Sequence, residues 1–557
     1  MAFVSPIPVR WSSHTSFSAS KAIVLRHHVS HHSRRRASME AQQSSPTSPS
    51  QPVQSQKLGP KASTAPKSQP PSRPPFAWLD NWYPMAWAED VPHSKPIPVT
   101  IWNLHYVLFR NTVTGNYVVM DDVCPPRAAP LSEGRLYERS RPDGSMETIL
   151  ECGYHGWRFD CTGRCVDIPV VDLQKRIPAA ADVGGLYATH VSIAGLIFVW
   201  LGDRAKADVS KIPVPKYLLD LGDRVTTFRN PYRVFPFNFG TLLENVADPA
   251  HVQWSHHGTG QGNRNTVPRN GNLEILEKDD ASGFFRAGIR IGDSPSHRLS
   301  VTFEAPTSVA YRLNSPVGKA APFSLLTYVV PIDYNRSALF AVNCNIDMPR
   351  IQKLVKRITP RWYEHTISNL ILDGDSLLLQ WQEAHTQNRI RDGYGSAWKK
   401  EYTLASGTWD SLVVEFRRWL DHNCHIIPHQ KQISSEAPIV LQSREEINDR
   451  YAYHTKHCES CRPALQNLRT GRVAAFVGAG IGFVTFLCSA LLFAALGFDP
   501  PGRLVGPYLR FGHTKHNSGV CTQIIINTSP QAVRVLYKLS RLFFSLFLHY
   551  LSRGSGR

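Results

Sequence analysis

Between Val473 and Phe498 the chain runs through 26 residues without a charged side chain. A run of that length crosses a bilayer with some tilt. Nothing after it could bury it as the core helix of a soluble protein, so it reads as a transmembrane helix. A second apolar stretch, Val533–Leu551, carries Arg534, Lys538 and Arg541, and reads either as a weak span or as an amphipathic helix in the interface. The rest of the chain therefore folds N-terminal to a membrane tether.

The charge supports that division. Residues 1–75 carry ten Lys/Arg and one acid, Glu40, and residues 462–557 carry eleven Lys/Arg and one acid, Asp499. The formal net charge of +18 thus belongs to the ends, and 76–461 is close to neutral. A basic balance so placed does not argue for nucleic acid, and no RNA- or DNA-binding motif is present. Residues 1–39 have no Asp or Glu, are rich in Ser, His and Arg, and include Arg34-Arg35-Arg36, the composition of an organelle transit peptide. Residues 40–75 are Gln/Ser/Pro/Lys-rich and read as a disordered linker. Ten cysteines in 557 residues do not make a disulfide scaffold. Their clusters at 124, 152–165 and 458–461 point instead to metal or redox chemistry in a reducing compartment.

From Phe76 the pattern is ordered. Val99–Trp102, Tyr106–Phe109, Tyr117–Met120 and Ile197–Leu201 read as antiparallel strands. Pro213–Pro215 marks a boundary. Beyond it come an opening helix, strand-like runs at Gly288–Ile291, Leu299–Phe303 and Leu325–Val330, and helices from about Arg361 to Gln387 and Thr408 to His422.

Two places carry chemistry. In Glu244–His257, Asn245, Asp248 and His251 recur every three positions, so on a helix they share a face. His251 and His256 are five apart, about 140° on an unbroken helix. They reach one metal only if the helix ends or distorts between them. Two imidazoles plus one carboxylate from elsewhere is the ligand set of non-haem Fe(II) oxygenases. Upstream, Cys152-Gly153-Tyr154-His155 is a C-x-x-H half-site, and Cys124-Pro125-Pro126-Arg127 stands where a C-x-H would complete a Rieske [2Fe–2S] site, two Cys on one iron and two His on the other. The histidine position holds Pro126, which has no side-chain donor.

Asn81–Pro84, Ala129–Gly134, Tyr154–Trp157, Glu244-Asn245-x-x-Asp248-Pro249-x-His251 and a late Cys-x-x-Cys together resemble the plant and algal pheophorbide a oxygenase group of Rieske oxygenases, which includes the Rieske component of the chloroplast inner-envelope translocon and a protochlorophyllide-linked relative. The resemblance covers about residues 76–500. It implies an α+β chain: an antiparallel β Rieske domain at 76–215, then a helix-grip catalytic domain at 216–440 with an antiparallel sheet around a helix. A CxxC linker at 441–472, a C-terminal transmembrane anchor at 473–498 and a tail at 499–557 follow. By the same resemblance Cys124, Cys152 and His155 match three cluster ligands, and His251 and His256 match the mononuclear-iron histidines. Asp248 matches a carboxylate that bridges electron transfer from a neighbouring subunit, which implies a homotrimer, and Asn245 matches a residue near the iron. The family places an Asp seven residues before a Gln as third iron ligand, which selects Asp375 with Gln382; Asp373 is the runner-up.

The implied function is a chloroplast membrane-bound monooxygenase, at the inner envelope or thylakoid with its soluble domains facing the stroma. It would act with O₂ on a chlorophyll-derived tetrapyrrole such as pheophorbide a or chlorophyllide a and take electrons from ferredoxin. Three accounts of Pro126 stand: a single-base error, a cluster lost or rebuilt on a substitute such as Cys161, or a fold retained after oxygenase activity was lost. The last gives the alternative function, a redox-sensing or structural subunit of an envelope translocon. Cys458 and Cys461 read as a redox switch addressed by thioredoxin, with flanking Lys456, His457 and Arg462 favouring thiolate. Zinc at that pair would need His454 or His457 as well.

Overall fold

A computed structural model describes residues 76–495, apart from 170–176, 178, 260–261, 267–270, 292–296, 298, 314–322, 392–397, 404–408 and 424–439. The expected transit peptide, the linker to residue 75 and the apolar stretch Val533–Leu551 lie outside the described residues.

The first half is built on two antiparallel sheets. Six strands pair in the order Trp82–Trp87, Leu196–Trp200, Leu186–Val191, Tyr117–Asp121, Leu104–Arg110 and Ile97–Ile101. A four-stranded sheet, Arg135–Ser140, Met146–Glu151, Arg158–Phe159 and Cys165–Asp167, stands beside it. The strand expected to reach Trp102 stops at Ile101. Trp102 and Asn103 take left-handed φ values of 56° and 61° and form a two-residue hairpin between Ile101 and Leu104. That turn is tied to the second half: the Trp102 N–H donates to the Pro331 carbonyl at 2.9 Å and the Asn103 N–H to that of Ile332 at 2.7 Å.

The second half is an antiparallel meander. Its order is Val225–Arg229, Ser337–Ile346, Phe323–Pro331, Ser308–Leu313, Leu299–Glu304, Phe284–Ile291 and Gly271–Asp279, with Arg233–Phe235 also pairing on Ser337–Ile346. Period-two alternation decides which face is inward: Val301 and Phe303 are buried on one strand, Phe285, Ala287 and Ile289 on its neighbour. The helix Phe239–Ala247 packs across the strands from Leu299 to Ile346, and Ser411–Asn423 packs across the two outer strands. This is the expected α+β arrangement. The passage at Pro213–Pro215 joins the halves more tightly than a linker would. The Tyr328 hydroxyl donates to the Pro213 carbonyl at 2.9 Å, and one continuous core runs from Trp82 and Phe198 to Tyr328, Leu339 and Trp419. A smaller core holds Leu131, Phe159 and the thiols of Cys124 and Cys152.

A helix of 31 residues, Arg361–Arg391, crosses behind the iron-site candidates. Residues 441–460 do not hang from it as a spacer. The Gln442 N–H donates to Gln380 Oε1 at 2.9 Å, and Arg450 Nε donates to Asp373 Oδ2 at 3.0 Å. The last described element is the helix Cys461–Ala495, whose apolar window has no residue buried against the rest of the protein.

Candidate metal centres

Asn238 caps the helix Phe239–Ala247, its Oδ1 accepting the Thr241 N–H at 2.9 Å. Proline at 249 forces the residue before it out of the helical region, and Asp248 has φ −95° and ψ 105°. The helix therefore ends at Ala247, and the shared helical face expected for Asn245, Asp248 and His251 does not form. Helix resumes only at Val252–Ser255, with His251 and His256 at its two ends. The interruption lies before His251; between the histidines the chain makes one short helical turn that ends at Ser255, and His256 leaves it with φ −97° and ψ 15°, the helix end that two histidines five apart require.

The structure brings Asp375, the residue that the Asp-to-Gln spacing selected, up to the two histidines. His256 Nε2 lies 2.8 Å and His251 Nε2 3.8 Å from Asp375 Oδ2. The long helix can come this close because residue 374 is glycine: a Cβ there would stand 2.8 Å from the Ser255 carbonyl oxygen. His251 Nδ1–H donates to the Asp248 carbonyl at 2.5 Å, which fixes the tautomer and leaves the Nε2 lone pair free. Burial opposes ionisation of Asp375, but the His256 hydrogen bond and the charges of His251 and His256 outweigh it and hold its carboxyl below the usual range. Two imidazole nitrogens and a carboxylate within 4.8 Å of one another fit a divalent iron with positions left open. Asp248 is partly buried, its Oδ1 accepting the Ala250 N–H at 2.7 Å; burial raises its carboxyl, and His251 partly offsets this. No hydrogen bond joins the Asn245 amide to the three donors.

Asp373, the runner-up ligand, has another role. It accepts from Arg233 Nη1 at 2.6 Å and from Arg450 Nη2 at 2.5 Å, with Arg233 only 1% exposed. Gln382 donates to Glu244 Oε1 at 3.1 Å and to the Tyr402 hydroxyl at 2.8 Å, and Arg417 pairs with Glu244. These buried ion pairs hold the iron-site helices together and had no local sequence signal.

In the first half, two loops repeat one backbone pattern. The Ala128 N–H donates to the Cys124 carbonyl and the Cys124 N–H to that of Ala129, at 2.9 and 2.8 Å. The Gly156 N–H donates to the Cys152 carbonyl and the Cys152 N–H to that of Trp157, at 3.1 and 2.8 Å. Ala128 and Gly156, four residues past each cysteine, both have left-handed φ, 54° and 72°. The two thiols are buried and free, and burial followed by the Cys152 thiol pushes Cys124 up to about 12. His155 is half-buried beside Tyr154, while Pro126 is exposed. Two sulfur donors and one imidazole fit a [2Fe–2S] cluster; the fourth position offers no donor atom. Cys161 is engaged elsewhere, its Sγ accepting from Asn111 Nδ2 at 3.2 Å and donating to the Thr148 carbonyl at 3.6 Å.

Cys458 and Cys461 are 3% and 9% exposed, and they meet two histidines, His365 and His454. His454 was one of the two candidates named from the sequence. His365 was not foreseen, because it stands 93 residues before Cys458.

Comparison with known proteins bears on all of this. The Rieske [2Fe-2S] domain family matches residues 81–178, and the pheophorbide a oxygenase family matches residues 303–392. Pheophorbide a oxygenase of Oryza sativa subsp. japonica is 32% identical over 434 residues, covering 73% of this chain and 77% of that protein. Flavonoid 8-hydroxylase 2 of Ocimum basilicum is 28% identical over 418 residues, covering 71% and 75%. Among solved structures, dicamba monooxygenase bound to dicamba is 21% identical with a TM-score of 0.47, covering 63% of this chain and 99% of that one. The Rieske domain match and the pheophorbide a oxygenase relative support a [2Fe–2S] cluster and a non-haem iron in this architecture. On the rice relative's identity and coverage, the chain belongs to the pheophorbide a oxygenase family of Rieske non-haem iron oxygenases.

Proposed function

We propose that this protein is a chloroplast membrane-bound monooxygenase of a chlorophyll-derived tetrapyrrole, of the pheophorbide a or chlorophyllide a type, supplied with electrons by ferredoxin. The observation that carries the reading is the convergence of His251, His256 and Asp375 on one point, with the His251 tautomer set by the Asp248 carbonyl. A ferrous iron bound there would activate O₂ against the substrate, with electrons arriving one at a time from a Rieske cluster. The chain's own part is positional. Asp248-Pro249 breaks the helix so that both imidazoles face inward, Gly374 admits the long helix, and Asp375 stays ionised. Asp248 is the electron bridge of this reading, receiving from the cluster of a neighbouring copy in a homotrimer. The outward row Tyr363, Ile367, Leu370, Leu378 and Trp381 on the long helix supports contact with another copy.

Membrane attachment is supported by the helix Cys461–Ala495 and by a second feature. The helix Arg350–Ile358 exposes Ile351, Leu354, Val355 and Ile358, while Lys353, Lys356 and Arg357 occupy its other faces. An exposed helix so divided suits the boundary of a bilayer, from which a large apolar macrocycle would also be drawn. The inner envelope or thylakoid, with the soluble part in the stroma, is the corresponding site. Pigment analysis of a loss-of-function line tests the substrate: an accumulating tetrapyrrole supports it, and an unchanged tetrapyrrole profile with an accumulating flavonoid refutes it.

One observation favours a second reading. Pro126 leaves the cluster one protein ligand short, as expected for a subunit of an envelope translocon that has lost turnover but kept the fold. Electron paramagnetic resonance of the reduced protein separates the two. A Rieske-type signal in the natural protein supports the oxygenase. A signal that appears only after Pro126→His supports the impaired subunit.

A further inference from the structure

We infer that Cys458, Cys461, His365 and His454 form a structural zinc site that clasps the base of the membrane helix to the helix bearing Asp375. The four ligand atoms lie within 4.8 Å of one another, and all four residues are buried. His365 Nδ1 stands 3.3 Å from Cys461 Sγ and 3.5 Å from Cys458 Sγ, and His454 Nε2 stands 3.2 Å from Cys461 Sγ. Zinc bonds of about 2.3 Å to sulfur and about 2.0 Å to nitrogen, at tetrahedral angles, separate S and N by about 3.5 Å. The observed spacings match that edge length. One thiol-to-imidazole hydrogen bond would explain one short contact. It does not explain why a single nitrogen faces both sulfurs while a second nitrogen faces one of them.

The surroundings of His454 point the same way. Its Nδ1–H donates to the Tyr232 carbonyl at 2.7 Å, so the neutral ring presents its Nε2 lone pair to the two sulfurs. A backbone carbonyl on the far nitrogen is the usual support of a metal-bound histidine, and His251 at the iron site has the same arrangement. An S₂N₂ donor set suits zinc or an iron–sulfur centre, and four donor atoms within 4.8 Å of one another close around a single ion, which favours zinc. Binding releases the two thiol protons to solvent, and the dication with two thiolates leaves a buried centre of zero net charge.

The site joins three parts of the chain. His365 belongs to the long helix, and His454 is held against the strand that starts at Arg233. Cys461 is the first residue of the helix that continues into the apolar run. The reading from sequence, a reversible dithiol, predicts a different state of the same sulfurs: a disulfide in oxidised protein and freely alkylated thiols in reduced protein.

The full-length protein, purified in detergent without chelators, decides between them. Elemental analysis should find about one zinc per chain besides iron, and zinc-edge absorption should show a shell of two sulfurs and two nitrogens. Cys458→Ser and His365→Ala should reduce zinc to background while iron remains. His454→Cys, which supplies another zinc ligand, should keep the zinc that His454→Ala loses. The absorption measurement needs no variant, so it stands even if a variant fails to fold. Wild-type protein without zinc, a sulfur-ligated iron in its place, or zinc retained in both Cys458→Ser and His365→Ala overturns the assignment. So does alkylation of both thiols with no release of metal.

Discussion

Gly374→Ala places a methyl group where the long helix touches the histidine loop. The new Cβ would lie 2.8 Å from the Ser255 carbonyl oxygen, 3.6 Å from the Ser255 carbonyl carbon and 3.8 Å from His256 Cδ2. The first contact falls short of an optimal separation by about 0.7 Å, and the atom it meets is backbone that no rotamer change can move aside. Two effects compete. Alanine is a better helix former than glycine by about 1 kcal/mol, while overfilling a packed contact costs about 1–3 kcal/mol. The clash prevails by roughly 0–2 kcal/mol. The effect on metal is larger, because the strain separates the two elements that supply the ligands. Asp375 is the next residue, and His256 Nε2 now stands 2.8 Å from its carboxylate. A site loosened by about half an ångström loses its preorganisation, and changes in the support of a ligand typically reduce metal affinity about 10- to 100-fold. Iron(II) titration against a competing chelator, run with thermal melts of the metal-free protein, measures both terms. A variant with wild-type iron affinity and a raised melting temperature would show that helix propensity alone governs this position, and that Gly374 does not set the approach.

Asp373→Asn should leave iron content intact while stripping Arg233 and Arg450 of their shared carboxylate, and unpairing a buried cation costs about 3–5 kcal/mol. Asp375→Asn should do the reverse, losing iron at a smaller cost in metal-free stability; iron loss in both variants would sink the division of roles. Burial pushes the Glu383 carboxyl from 4.5 up to about 7, only partly offset by the Asn238 N–H and Thr241. A raised folded value means that its contribution is present below pH 4.5 and lost as the pH rises through 7. Relative to Glu383→Gln, the natural protein should therefore lose up to about 3 kcal/mol across that window. Denaturation at pH 5 and pH 7.5 tests this, and parallel curves for the two proteins would refute it. Replacing Ile351 and Leu354 by Glu should weaken adsorption of the protein to anionic vesicles without altering iron content; unchanged adsorption would remove the helix Arg350–Ile358 from the membrane surface.

Much of the framework was legible because it rests on local rules. Alternation in Leu299–Phe303 located a strand, and the five-residue spacing of His251 and His256 required the helix to end or distort between them; the stop at Ala247 that Pro249 imposes was not read. The long helix was legible in extent but not in orientation. Its buried row reads His365, Asn369, Ser376, Gln380, Glu383 and Gln387, at helical spacing, while Ile367, Leu370, Leu378 and Trp381 face outward. Hydrophobic periodicity assumes the opposite, so only the Asp-to-Gln spacing of the family could choose Asp375. Three members of the row find partners far along the chain: Gln380 the Gln442 N–H, Glu383 the Asn238 N–H, and Asn369 the Arg233 guanidinium. No window of sequence contains both members of such pairs. Pro126 shows the opposite limit. Its chemistry is fully legible, since proline has no donor, but the backbone around it keeps the loop pattern of its Cys152 counterpart.

The long helix would also make the candidate iron site and the proposed zinc site one mechanical unit. His365 and Asp375 are ten residues apart on it, about 15 Å along the axis. Between them Asp373 is gripped from both sides by Arg233 and Arg450, so the intervening turns cannot shift without breaking buried charge pairs. A zinc at His365 would add a constraint from the chain's other end. It closes a segment of 93 residues between His365 and Cys458, and a clip across a long segment restricts the unfolded chain more than one across a short segment. Its ligands meet only where residues 441–461 lie along the helix, with Arg450 on Asp373 and His454 and both cysteines at His365. The order of constraint would then run from the apolar helix inward. The base of the anchor helix fixes Cys461, Cys461 with zinc fixes His365, and the rigid helix carries that position to Asp375 and the iron. Loss of the clasp should therefore free the His365 end of the long helix, while the iron stays bound through His251 and His256, held by their own loop, and through Asp375, whose turn Arg233 and Arg450 still grip at Asp373.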